Sequence, residues 1–144
     1  MNGVGDAGMT HPSNKCSMRN IALMKRELTH AIIGAFYEVY GSLGFGFLEH
    51  VYALALESEL TDRGKRVSRE VPVPISYKGK LLTTQRADMI VDKRVVVEIK
   101  STEILPPMSK RQVVNYLRAT TLEVALLLHF GPEPKFYRMV QSNK

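Results

Sequence analysis

The sequence predicts an α/β domain in which a mixed sheet is flanked by helices. Two helical stretches separated by a glycine-rich turn open the body of the chain. Three strand-like segments joined by short turns follow, and a further helix then leads into an almost unbroken apolar run. With 144 residues, 44% of them hydrophobic, the chain has room for one domain built on a single core.

Residues 1–20 lack hydrophobic periodicity and carry Gly, Ser, Asn and Pro, so a flexible tail is expected there, with the single domain spanning 21–144. From Ile21 to Tyr40 the residues Leu28, Ala31, Ile32, Ala35, Phe36, Val39 and Tyr40 recur at three- and four-residue steps, the stripe of an amphipathic helix. The stretch Gly41 to Gly46 is a turn, and a second helix is expected from Phe47 to Arg63, stopped by Gly64. Val71 to Tyr77 reads as a strand placed at an edge by Pro72 and Pro74, because proline donates nothing to a ladder. Lys78-Gly79-Lys80 turns the chain into strands over Leu82 to Val91 and Val95 to Lys100. Pro106 and Pro107 break it, Ser109 is placed to cap, and Lys110 to Thr120 is helical. Val124 to Phe130 suits a strand covered on both faces, and Phe136 to Val140 a last edge strand. Short turns make the first three strands an antiparallel meander. The helix between Lys100 and Val124 is long enough for a right-handed crossover to a parallel strand.

The formal charge of +6 favours an anionic partner, nucleic acid foremost. Arg63, Lys65, Arg66 and Arg69 form one basic cluster, Lys78 and Lys80 a second, and Lys110, Arg111 and Arg118 a third. Taken singly, each reads more simply as a solvated surface. No apolar run approaches the roughly 20 residues that span a bilayer, and residues 1–18 lack the apolar segment of a signal peptide. Cys16 is the single cysteine, which excludes an intrachain disulfide and a four-cysteine zinc site. A cytoplasmic protein with no membrane association is the expectation. His11, His30, His50 and His129 are not at zinc-ligand spacing, and His50 is read as surface. Neither a nucleophile elbow, a phosphate-cradling loop nor a dinucleotide fingerprint is present.

The chemistry is carried by Asp88, Glu98 and Lys100. Strand residues alternate faces, so Val95, Val97 and Ile99 point one way while Val96, Glu98 and Lys100 point the other. A three-residue loop, Asp92-Lys93-Arg94, pairs Val91 with Val95 and so sets Asp88 opposite Glu98. A two-residue loop sets Asp88 opposite Val97 instead. The first register keeps Ala87, Met89, Val95, Val97 and Ile99 on one side. Two adjacent carboxylates repel each other unless a cation lies between them, and hard oxygen ligands suit Mg²⁺ or Mn²⁺. Lys100, on the same face, can orient water or offset charge on a phosphate. The same spacing also fits a surface ion cluster in which Lys100 neutralises the acids.

The order Asp88, nine residues, Glu98-Ile99-Lys100 resembles the PD-(D/E)xK nuclease superfamily, whose core is restriction-endonuclease-like. The stretch Gly46-Phe47-Leu48-Glu49-His50-Val51-Tyr52 resembles its GxxExxY branch, as do Arg86-Ala87-Asp88, Val97 to Lys100, Gln112 with Asn115-Tyr116-Leu117, and Leu128-His129-Phe130-Gly131. This resemblance implies that Asp88, Glu98 and the backbone carbonyl of Ile99 are metal ligands and that Lys100 is the catalytic lysine. It implies that Glu49 is the acid of the first core helix, which binds or positions the metal. Glu49, Tyr52, Leu56 and Leu60 share a helical face, which agrees, although Glu49 also complements the helix dipole. Gln112, with Tyr116 on the same face, matches the polar residue of the later helix and rivals a plain surface glutamine. Ser109, Lys110 and Arg111 stand where relatives carry an acid or histidine, so that segment offers no added ligand. Arg63, Lys65, Arg66, Lys110, Arg111 and Tyr116 are the candidate nucleic-acid contacts. The function implied is metal-dependent hydrolysis of nucleic-acid phosphodiesters. The alternative is a non-catalytic nucleic-acid- or protein-binding module on the same fold, and a protein partner or homo-oligomer is compatible with either.

Overall fold

The computed structural model describes residues 12–142, with side chains from Met18 onward; His11 and the side chain of Cys16 lie outside the described residues. The elements run α1 (Pro12–Leu43), α2 (Glu49–Asp62), β1 (Val67–Tyr77), β2 (Lys80–Val91), β3 (Val95–Lys100), α3 (Ser109–Ala119), β4 (Val124–Phe130) and β5 (Pro134–Val140). The strands form one sheet in chain order, β1-β2-β3-β4-β5. Neighbours are antiparallel except β3 and β4, which are parallel and joined through α3. The mixed sheet with its three-strand meander and parallel fourth strand is the expected architecture.

Two hydrophobic layers hold it together. Leu28, Ile32 and Phe36 of α1 and Tyr52, Leu56 and Leu60 of α2 pack on Met89, Val91, Val95, Val97, Ile99, Leu126 and Leu128. On the opposite face Val113 and Leu117 of α3 meet Val73, Ala87, Val96, Ala125 and Leu127. Strand β4 is buried at every position, which is why its sequence does not alternate. Burying a side chain of this kind stabilises by about 1.5–3 kcal/mol, so the central strands β3 and β4 anchor everything else.

Helix α1 begins at Pro12 rather than Ile21, so residues 12–20 are helix and not an irregular tail. Proline at a first helical position is pre-organised, and extending an existing helix costs little. Residues 18–24 are exposed and carry no stripe, which hid them from a periodicity reading. Helix α2 starts at Glu49, leaving Phe47 and Leu48 in the turn before it. Ser109 does not cap α3: Met108 holds the N-cap position without a side-chain bond, and the buried Ser109 Oγ lacks a hydrogen-bond partner. Ala87 does not share a face with Met89 in the core, but packs in the α3 layer. The switch occurs opposite Glu70, whose φ of +53° interrupts the β1–β2 pairing between Arg69↔Met89 and Val71↔Ala87. Among the described residues no helix is long and apolar enough to cross a membrane.

Candidate functional site

The β2–β3 turn is the three-residue loop, with Asp92 and Lys93 at φ +51° and +57°. It pairs Val91 with Val95, Ile90 with Val96 and Met89 with Val97, and there the ladder stops. The next rung would join Asp88 to Glu98. Side chains replace it: the Asp88 amide donates to Glu98 Oε1 at 2.9 Å, and the Ile99 amide donates to Asp88 Oδ2 at 2.7 Å. Each carboxylate thus satisfies an amide that the parting strands would leave bare. In an extended residue the N–H and C=O point to the same side, so the Ile99 carbonyl is also directed toward the gap beside Asp88.

Glu49 enters from the first turn of α2, and the local sequence explains how. Gly46 sits at φ +114°, a conformation closed to residues with a Cβ. Tyr52, fully buried, donates its hydroxyl to the Gly44 carbonyl at 2.5 Å and accepts the Phe47 amide at 3.3 Å. The Gly-x-x-Glu-x-x-Tyr spacing is therefore a mechanical unit. The glycine makes the turn, the tyrosine ties it down one helical turn later, and the acid between them is aimed at the sheet. Glu49 lines a cleft of about 260 Å³ with His50, Ala53, Arg69, Glu70 and Asp88.

The electrostatics follow from this crowding. Burial, and then the Asp88 carboxylate, push the Glu98 carboxyl up to about 8; the amide bond from Asp88 and the Lys100 cation oppose the rise. Burial also raises Glu49, with Asp88 adding to the effect and Lys100 countering it. The Tyr116 hydroxyl is raised by burial and by Glu98 and Asp88, which places α3 over the acids. Lys100, half-buried at the end of β3, therefore acts on both Glu49 and Glu98. Such an acid cluster is destabilising when empty of charge and gains from a cation. Among the described residues no three His, Cys, Asp or Glu side chains form a ready-made metal cage. One oxygen each of Asp88 and Glu98 is committed to an amide, and the Asp88 carboxyl is also hydrogen-bonded to those of Glu98 and Glu49.

The remaining candidates divide by position. Gln112 is exposed on α3, four residues before Tyr116, at the end of the helix nearest the C-terminus of β3. Lys110 and Arg111 share that end, with the Lys110 Nζ 3.9 Å from the centre of the Tyr137 ring. Arg63, Lys65 and Arg66 are not brought to the acids. They follow the C-terminus of α2, whose 14 residues separate them from Glu49 by about 21 Å. Arg63 is moreover paired with Glu59 at 3.0 Å and packs over Gly34. His50, Arg69 and Glu70 line the cleft but were not singled out as site residues. Glu70 reaches the cleft because it stands across from Asp88 where the β1–β2 pairing is interrupted, which depends on a register that the sequence leaves open. His129 is structural: its Nε2 lies 2.7 Å from the Thr102 carbonyl.

Comparison with known proteins agrees with this geometry. No curated protein matches the chain. The crystal structure of SSO0001 is similar over 66% of this chain, with 26% identity and a TM-score of 0.52. The match spans only 50% of that longer protein. The family model of the PD-(D/E)XK nuclease superfamily matches residues 26–139, from α1 to the end of β5. Members of that superfamily generally use divalent metals. The mixed five-stranded sheet between its helices is a restriction-endonuclease-like fold, and the chain belongs to the PD-(D/E)XK nuclease superfamily.

Proposed function

We propose that this chain is a metal-dependent phosphodiesterase of the GxxExxY branch, acting on nucleic acid. The observation that carries the reading is the burial of Glu98 against Asp88, with the Glu98 carboxyl pushed up to about 8. A carboxyl crowded in this way gives up its proton in favour of a cation shared with Asp88, and oxygen donors of this kind fit Mg²⁺ or Mn²⁺. Asp88, Glu98 and the Ile99 carbonyl would hold the ion, with Glu49 steadying it from α2. When bound, the ion supplies charge that polarises a phosphodiester and favours deprotonation of an attacking water. Lys100 holds a positive charge on the same face, where it orients that water and offsets charge developing on the phosphoryl oxygens. Gln112 and Tyr116 border the acids from α3 and position the substrate backbone.

The second reading, a binding module without catalysis, is favoured by the structural duty of Asp88 and Glu98, each of which accepts a backbone amide where β2 and β3 part. A digestion panel decides between them. Single- and double-stranded DNA and RNA are incubated with wild type and Asp88→Asn, with Mg²⁺, with Mn²⁺ and with chelator. Metal-dependent cleavage by wild type alone supports the enzyme. Folded wild type that binds neither metal and cleaves nothing leaves the binding module.

A further inference from the structure

Two segments that pack against each other, the outer part of β1 and β2 and the helix α3, carry basic residues and no acid. The chain has 14 acidic residues, yet none falls in residues 71–87 or in α3. Those two segments hold Lys78, Lys80, Arg86, Lys110, Arg111 and Arg118. Helices α1 and α2 instead intersperse Glu27, Glu38, Glu49, Glu57, Glu59 and Asp62 with bases such as Arg19, Lys25 and Arg26.

The same residues have an unusual shape. Pairing of β2 with β3 begins only at Met89, so from Ala87 outward β1 and β2 pair with each other alone. They form a two-stranded arm that projects past the sheet. Its β2 part, Lys80 to Ala87, reaches about 27 Å at the usual rise per residue. Val73 and Ala87 seat the base of the arm on Val113 and Leu117 of α3. Every residue from Ser76 to Arg86 is exposed. Between arm and helix runs a groove of about 600 Å³, walled by Ile75, Ser76 and Gln85 on one side and Asn115 and Arg118 on the other. Gln85 stands three residues from Asp88, about 10 Å along the strand, so the groove leads away from the acids.

We propose that the β1–β2 arm and α3 are the two walls of a nucleic-acid groove that delivers a strand to Asp88 and Glu98. It rests on the phosphodiesterase reading for what lies at the groove's end. Lys78 and Lys80 at the turn of the arm and Arg118 on the helix hold phosphates, while Arg86, between the groove-facing Gln85 and Ala87, lies on the arm's other face and adds to the field. With no acid interspersed their potentials add, which draws in a polyanion. The Gln85 and Asn115 amides offer donors and acceptors to base edges inside the groove. At the tip Tyr77, Leu81 and Leu82, 59–64% exposed, offer a surface for unpaired bases to stack on.

The test compares two triple reversals in the full chain that change the charge equally. One is Lys78→Glu, Lys80→Glu and Arg86→Glu on the arm. The other is Arg19→Glu, Arg26→Glu and Lys93→Glu, all exposed and away from α3. Affinity for a labelled single strand and its duplex is followed against salt in chelator, and hydrolysis of bis(p-nitrophenyl) phosphate, too small to need the groove, is followed with Mn²⁺. The arm reversal should weaken binding by on the order of tenfold or more. It should also flatten the log–log salt slope by roughly one and a half to two, as two lost phosphate contacts require. The control should keep the wild-type slope and the wild-type hydrolysis of the small diester. If the arm reversal melts early, the corresponding alanine triple replaces it. Equal losses in both variants, or an unchanged slope for the arm, overturn the groove. So does a wild-type dimer that Leu81→Ser with Leu82→Ser dissolves while nucleic-acid affinity stays intact. Wild type that binds through the arm yet hydrolyses neither diester nor nucleic acid removes the phosphodiesterase reading and leaves the groove standing.

Discussion

Asp88 and Glu98 hold each other's strands: Glu98 Oε1 takes the Asp88 amide at 2.9 Å, and Asp88 Oδ2 takes the amide after Glu98 at 2.7 Å. The two carboxylates close the gap where β2 and β3 part, so the proposed metal ligands are also structural braces. Substitutions there must be chosen to separate the two duties.

Asp88→Asn does so, because its amide oxygen can still accept from Ile99. We expect stability to change by no more than about 1 kcal/mol, with metal-dependent cleavage lost. Asp88→Ala should lose cleavage and also about 1–3 kcal/mol, since the Ile99 amide is left bare. Urea denaturation beside the cleavage assay distinguishes these outcomes.

Glu98 predicts a pH dependence. Its carboxyl is raised in the folded protein to about 8, from an ordinary value of 4.5. The folded state therefore binds the proton more tightly than the unfolded one. The resulting stabilisation is complete below pH 4.5 and is lost as pH rises through about 8. Glu98→Gln should remove that decline in metal-free protein, matching wild type in acid and exceeding it above pH 8. Melting curves across pH, in chelator, check the sign.

Metal uptake should expel the same proton. Calorimetric titration with Mn²⁺ at neutral pH, in two buffers of different ionisation enthalpy, should show proton release by wild type and little by Glu98→Gln. Affinity in wild type should rise with pH up to about 8.

Lys100→Met should leave metal affinity nearly unchanged or slightly tighter, because a cation beside the acids is gone. Turnover should fall by on the order of 10²–10³ through loss of its contact with the transition state. Single-turnover cleavage at saturating metal measures this.

Tyr52→Phe tests the turn that aims Glu49. Removing the hydroxyl strands the Gly44 carbonyl and should cost about 1–3 kcal/mol. Metal affinity should weaken as well, because Glu49 is no longer held. Rescue of stability by added osmolyte without rescue of affinity would tie the loss to aim rather than to folding.

Much of this was legible before any coordinates. The alternation in Val95 to Lys100 and the length of the Asp92-Lys93-Arg94 loop determined which residues face Asp88, because strand periodicity and hairpin register are local. The unbroken apolar run of Val124 to Phe130 likewise determined a strand buried on both faces. Tertiary structure decided what depends on distant neighbours. The break in the β1–β2 pairing at Glu70, which has positive φ, lies beside the point where the β2–β3 ladder ends, and no local pattern announces it. The same break turned Ala87 toward α3, let the arm leave the sheet, and put His50, Arg69 and Glu70 beside the acids. Arg63, Lys65 and Arg66 lie at the far end of α2 from Glu49, and charge clustered in sequence carries no information about which end of a helix meets a site. Helix α1 ran on to Pro12 for a related reason: a solvated helix needs no stripe, and periodicity records only the face that something else covers.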